Sequence, residues 1–252
     1  AYLLDRNEFA KTFTGGHGSV VNGNYGLAQW MVEAREDEIG ALNQYSFSLD
    51  NAIAELEKAG FTLDKDGKPY KSGLRYKKLD DGKLMPLIIN WCSSENNPVS
   101  DLLATKLANS EDVKKAGMEI KQNVVTFNEL IENYGQTKKN DYNMYNMGVG
   151  FNAIYNPEFS YAIGNPQNSN RISDKELAKL AKNLNVVDPS NEKEYLDRYV
   201  KFQQKWNELL PDLPLYSNQY HDFFNKKLKG YDGIKDAIWD ITSQINYCWV
   251  QE

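Results

Sequence analysis

Leu3, Leu4, Phe9 and Phe13 recur at helical spacing and Gly15-Gly16 supply a stop, so the chain is expected to open in a helix. No Ser, Thr, Asp or Asn precedes that apolar run to accept its first free N–H groups, and no initiating Met is present. The sequence therefore reads as a piece of a longer protein, beginning inside a helix. A Gly-rich loop over 15–26 and a helix over 27–39 follow. In YSFSLDNAIAELEKAGF, Ser48 is placed to cap a helix and Asp50 sits in its first turn. Leu49, Ile53, Leu56 and Ala59 form that helix's apolar stripe, and Gly60 ends it.

The next pattern changes period. DKDGKPYKSG (64–73) and DDGK (80–83) are turn chemistry, and LMPLIINW (84–91) is a continuous apolar run, the signature of a strand covered on both faces. Asp64 and Asp66 before Gly67 resemble the start of a calcium loop, but Arg75 stands where the closing Glu is needed, so the segment reads as a hairpin. A polar loop, CSSENNPVS, leads into a helical stretch over 100–116 with a break near Ser110 and a stop at Gly117. MEIKQNVV (118–125) alternates as a strand, and Thr126 with Glu129 forms a capping box for a helix through Tyr134. YNMYNMGVGF (142–151) is strand-like again. Ser173 with Glu176 opens another helix to about Asn183. A longer helix over 190–210 carries Leu196, Tyr199, Phe202 and Trp206 on one face. LPLYSNQYHDFF (213–224) suggests a last strand, and DAIWDITSQI (236–245) a final helix. Strand, helix, strand, helix, strand is the order of a mostly parallel sheet covered by helices, an α/β fold.

Composition narrows the function classes. A net charge of −6 without any strongly basic stretch leaves little to neutralise phosphates, which argues against a nucleic-acid partner. Cys92 and Cys248 are far apart and outside any CxxC spacing, so neither a disulfide framework nor a zinc site is expected. No run reaches the roughly 20 apolar residues of a membrane-spanning helix. With two histidines, His17 and His221, a histidine-based triad or metal cluster has little material, and no cofactor is implied. Glu33, Glu36, Asp37, Glu38, Glu55 and Glu57 lie in charged helical runs that read as solvated faces, not as a paired acid and base. The chain is rich in Tyr (16), Phe (10) and Trp (5) beside many Asn, which suits a surface that holds organic ligands by stacking and amide hydrogen bonds.

Ligands of open α/β sheets collect beyond the carboxyl ends of the strands. That rule selects Trp91 with the CSSENN loop, and GVGFNAIYNP (148–157). The candidate ligand contacts are Trp91, Asn146, Phe151, Asn152 and Tyr155.

Several segments in order resemble the extracellular solute-binding proteins of peptide- and nickel-type ABC importers (family 5 substrate-binding proteins). AYLLDRNEF resembles the helix opening that family's C-terminal lobe, and GGHGSVVNG the loop after it. Tyr45, Leu49-Asp50, Ala52, Leu56, Ala59, Gly60 and Phe61 match its Y-x-x-D-x-x-x-A-x-x-L-L-x-x-A-G-W/F segment, allowing a one-residue offset. NNPVSDLLATKL, MEIKQNVVTFNEL and LPLYSNQYHDFF fall in the expected order. The resemblance implies a type II periplasmic-binding-protein-like fold in which the ligand is held between two lobes. Residues 1–210 would be the C-terminal lobe, and 211–252 a strand and helix that pack with the N-terminal lobe in the parent. It further implies a small organic solute or peptide as ligand, membrane permease subunits as partners, no catalytic step, and a parent at the extracellular face or in the periplasm, held by a lipid anchor. One position departs from the family: where many peptide binders carry G-W-x-x-D, this chain has MGVGFNAIYNP. Val149 replaces the Trp and Asn152 stands near the acid, so a peptide ammonium loses an ion-paired partner. A sensor or adhesin lobe that docks a protein is the alternative, and a glycan hydrolase ranks third.

Overall fold

A computed structural model describes residues 1–135, 137, 140–151, 155–188, 190–218, 223–231 and 246–251. In chain order it contains α1 (Arg6–Thr14), β1 (Gly18–Ser19), α2 (Trp30–Ala34), α3 (Glu36–Gly40) and α4 (Leu49–Lys58). Then come β2 (Tyr76–Lys78), β3 (Leu84–Pro86), β4 (Ile88–Ser94), α5 (Pro98–Leu103), a π-helical turn (Ala104–Ala108) and α6 (Glu111–Lys115). They are followed by β5 (Glu119–Val125), α7 (Phe127–Tyr134), β6 (Met144–Tyr145), α8 (Glu158–Tyr161) and α9 (Lys175–Asn183). Last are a 3₁₀ turn (Leu184–Val186), α10 (Glu192–Leu209), β7 (Ser217–Asn218), β8 (Leu228–Lys229) and β9 (Trp249–Val250). The expected final helix over 236–245 lies outside the described residues.

The chain divides into two compact units, one of residues 1–15 with 45–148, the other of 16–44 with 149–252. The first holds the parallel sheet. β4 is central, with β5 on one side and β6 on the other, both parallel to it. β4 pairs with β5 from Ile88↔Glu119 to Ser94↔Val125, while β6 contributes Met144 and Tyr145 opposite Trp91 and Cys92. The run over 84–91 is two strands, not one. Residues 84–86 form an antiparallel hairpin with β2, and β4 starts at Ile88 and continues to Ser94. The polar CSS segment therefore belongs to the strand: Cys92, Ser93 and Ser94 are buried, and the Ser93 hydroxyl accepts from Gln122 Nε2 at 3.0 Å.

Helix starts follow their caps. Ser48 and Thr126 accept N–H groups three residues on, as the sequence pattern requires, and Ser110, expected only as a break, does the same for α6. Asp174, not Ser173, caps α9 through Leu177 N. The opening helix also differs from expectation. It begins after Asp5, whose carboxylate accepts Glu8 N at 2.9 Å, so it is capped. Leu4 and Phe9 then occupy the spacing of a hydrophobic staple around that cap, and both are buried. The helix expected over 27–39 is two short ones, broken at Arg35.

In the first unit, Leu3, Ala52, Val113 and Ala116 form the buried centre under α4, flanked by Leu49, Ile53, Leu56, Met118 and Ile120. In the second, α10 lays Leu196, Tyr199, Phe202 and Trp206 against Val21, Tyr25, Met31, Leu177 and Tyr161. Trp206 Nε1 donates to the Tyr161 hydroxyl at 2.6 Å.

Two tyrosines in this core meet edge-to-face with ring centroids 5.6 Å apart, but their hydroxyls differ. Tyr155 donates to Asn24 Oδ1 at 2.5 Å, whereas the buried Tyr199 hydroxyl lies near Gln203 without a well-formed hydrogen bond among the described residues. Tyr155→Phe is expected to lower unfolding free energy by about 1 kcal/mol, and Tyr199→Phe to leave it unchanged or slightly raised. Urea unfolding midpoints of the two variants check this. Burial pushes both phenols above their ordinary value of 10.0. The unfolded chain then loses these protons first, so stability falls as pH rises through 10 and is insensitive to them below it.

Candidate ligand-binding site

Apart from Glu95, the carboxyl end of β4 is built from uncharged polar groups. After Ser94 the chain turns through Glu95 and Asn96, the latter in left-handed conformation at φ 54°. Asn97 then starts α5: its Oδ1 accepts Val99 N at 3.1 Å and Ser100 N at 3.3 Å, and Pro98 follows as the first helical residue. Asn97 Nδ2 donates to Ser94 Oγ at 3.0 Å, which ties the helix start to the strand end. Ser100, nearly fully buried, faces Asn146, the residue after β6.

Asn146 is the hub of this edge. Its Oδ1 accepts Trp91 Nε1 at 3.0 Å and Ser100 Oγ at 3.2 Å, and its Nδ2 donates to Ser100 Oγ at 3.0 Å. Trp91 and Asn146, both candidates from the sequence, are thus in direct hydrogen-bond contact. Their roles differ, because β4 runs three residues past Trp91. The indole lies inside the sheet layer, wholly buried, and Asn146 is partly open.

Phe151 and Tyr155 belong to the second unit. Their rings lie 6.4 Å apart, tilted by 37°. Phe151 is partly buried over Gly26, where a Cβ would come within 3.3 Å of its ring. Tyr155 is enclosed by Tyr199 and Phe202, with its hydroxyl taken by Asn24. Asn152 lies outside the described residues.

Sequence reading selected the CSSENN loop, which contains Ser94 and Asn97, without naming either, and missed Ser100. The signal was the Asn-Pro step in NNPVS, which marks a helix start directly after a strand and so places a cap at the sheet's carboxyl edge. It also missed Phe127, exposed at the start of α7 just beyond the end of β5, with Val124 and Ile131 also exposed. The acidic runs named above are solvated: Glu33, Glu36, Asp37, Glu38, Glu55 and Glu57 are exposed. Cys92 is buried and Cys248 half-buried. Among the described residues no group of three or more His, Cys, Asp or Glu could hold a metal, and no helix is long and apolar enough to cross a membrane.

No known family's sequence profile matches the chain, and no curated protein sequence does. Solved structures do match in fold. The oligopeptide-binding protein AppA of Bacillus subtilis, in complex with a nonapeptide, superposes with a TM-score of 0.73 at 21% identity, covering 100% of this chain and 46% of AppA. The oligopeptide-binding protein of Thermus thermophilus, complexed with a pentapeptide, gives 0.71 at 18% identity over 91% of this chain and 38% of its own. NikZ of Campylobacter jejuni, in complex with Ni(L-His), gives 0.63 at 18% identity over 91% and 43%. The chain has the mixed α/β fold of these substrate-binding proteins, with a parallel sheet and covering helices, and spans less than half the length of each.

Proposed function

We propose that this chain is one lobe of a two-lobed solute-binding protein serving an ABC importer, with no catalytic step of its own. The carrying observation is the uncharged amide and hydroxyl edge around Asn146 at the carboxyl ends of a parallel sheet, in a fold shared over the whole chain with oligopeptide-binding proteins. Such an edge suits a neutral organic solute or the backbone of a short peptide. Asn146 is the group proposed to touch it, and Trp91 holds its surroundings. Ligand would shift the pair of lobes toward the closed form by contacting both, the form that permease subunits read. The segment 211–252 would pack with the facing lobe in the parent. Its described part is tied to the second unit by the β1–β7 pair and by Asn170 Nδ2 on Asp212 Oδ2 at 2.9 Å. A parent at the outer membrane face or in the periplasm, held by a lipid anchor, completes the reading.

Calorimetry against a panel of di- to pentapeptides and the nickel–histidine complex tests it. The expected result is saturable heat with at least one peptide, lost in Asn146→Ala while the fold is kept. Silence across the panel, together with capture of a protein at the exposed Phe127 face, would favour the sensor or adhesin alternative.

A further inference from the structure

Asn146 is held by two partners of unequal character. An indole N–H can only donate, whereas a serine hydroxyl both donates and accepts. Ser100 Oγ sits 3.2 Å from Asn146 Oδ1 and 3.0 Å from Nδ2, and would satisfy the amide in either orientation. Trp91 would not. Its Nε1 lies 3.0 Å from Oδ1, and turning the amide over would set N–H against N–H and strip a fully buried donor of its partner. The orientation of Asn146 is therefore fixed by Trp91. Both Oδ1 lone pairs are then occupied, by Trp91 and Ser100, and one Nδ2 hydrogen goes to Ser100. The second Nδ2 hydrogen has no acceptor among the described residues, on a side chain that is partly exposed.

We infer that Trp91 is a positioning residue that sets the polarity of this edge, so that a solute meets an N–H donor at Asn146 and no acceptor. The inference rests on the solute-binding reading above and narrows it. The group received at Asn146 is an oxygen acceptor, and an ammonium finds no acceptor on that amide. Glu95 and Asp101, the charged residues adjoining the edge in sequence, are both acidic and disfavour a carboxylate. An amide carbonyl of a peptide-like solute is the acceptor that fits.

The test is NMR on the ¹⁵N-labelled chain with two probes, N-acetyl-trialanine amide (carbonyls, no charge) and 1,4-diaminobutane (ammonium donors only). The acetylated peptide is expected to shift the Asn146 side-chain and Trp91 indole N–H signals saturably, and the diamine to leave them in place. Asn146→Asp keeps the shape and the Trp91 bond but replaces the donor with an acceptor. It should weaken the peptide about tenfold or more while the indole N–H stays slowly exchanging. Trp91→Phe should weaken it several-fold and yield two Asn146 amide orientations. If Trp91→Phe does not fold, Asn146→Asp, changed at a partly exposed position, carries the test. Unchanged affinity in Asn146→Asp, or saturable shifts confined to residues away from Asn146, would overturn the inference and leave solute binding standing. Absence of any binding to the unaltered chain would overturn both.

Discussion

Replacing Gln203 with Leu is expected to lower the unfolding free energy of the helical unit by about 2–4 kcal/mol, although the side-chain volume barely changes. Gln203 is wholly buried on α10, and both ends of its amide are used on one backbone residue. Oε1 accepts Asn24 N at 2.8 Å and Nε2 donates to Asn24 O at 2.9 Å. One turn on, Asn207 repeats the device. Its Oδ1 accepts Asn43 N at 3.0 Å, and its Nδ2 donates to Asn43 O at 3.0 Å and Asn22 O at 2.8 Å. The two amides act as fixed rungs for Asn22, Asn24 and Asn43, which lie outside β1, α2 and α3 and have no ladder or helix to satisfy their backbone. A leucine offers neither donor nor acceptor and leaves two Asn24 groups unpaired in a dry place. Gly23→Ala should act through the same clamp, because a Cβ there would stand 2.5 Å from Gln203 Oε1 and 2.6 Å from the Tyr25 ring. Gln203 cannot retreat without giving up its bonds. Urea unfolding followed by tryptophan fluorescence measures both variants. Losses under about 1 kcal/mol in each would show that the amides are not holding the loop.

The second large effect is expected at Arg75, in the sheet-containing unit. Its side chain is 4% exposed and reaches three elements. Nε donates to Ala116 O at 2.9 Å, Nη1 donates to Phe61 O at 3.0 Å, and Glu57 lies 3.3 Å away as ion partner. The guanidinium also lies 4.0 Å from the centroid of the Tyr70 ring. Arg75→Met keeps the aliphatic stem and removes every one of these bonds, which should cost about 3 kcal/mol. Glu57→Gln should cost far less, since that carboxylate is half exposed and screened. The turn at Gly117 leaves room for the arginine. Gly117 has φ +77°, and an added Cβ would come within 2.5 Å of Arg75 Cγ, so Gly117→Ala combines backbone strain with displacement of the clamp. If Arg75→Met melts with the unaltered chain, the charge is dispensable and the packing alone holds the hairpin.

These two residues mark where sequence reading stopped. Gln203 and Asn207 follow Tyr199 at successive intervals of four, on the apolar face of α10, yet a pattern search for hydrophobic positions passes over polar ones. Arg75 drew notice only because it cannot close a calcium loop, and its burial depends on partners at positions 57, 61 and 116 that no local window joins. What was legible was local chemistry. Ser48 and Thr126 cap as their spacing demands, and β4 and β5 lie parallel as their alternation with helices requires. Asp5 shows the limit of that method. The apolar Leu3 and Leu4 read as part of the helix, whereas they precede it and pack at its entry. At the candidate site, the strand-end rule selected this edge but placed the end of the strand too early. The serines following Trp91 are polar, so they read as loop, while the parallel ladder to β5 carries them to Ser94 and encloses the indole. Asn146 was named from its place after a strand. Its orientation depends on Trp91, 55 residues away in the chain, and so could only be seen in three dimensions.

Backbone amide shift mapping of the ¹⁵N-labelled chain against an equimolar mixture of tri- to pentapeptides tests the central claim most directly. The account predicts saturable shifts concentrated at 93–100, 125–127 and 146–148, at and just beyond the carboxyl ends of β4, β5 and β6. Shifts gathered at the opposite edge, around 88, 119 and 143, or none at millimolar peptide, would contradict the assignment of this edge as a solute-binding surface.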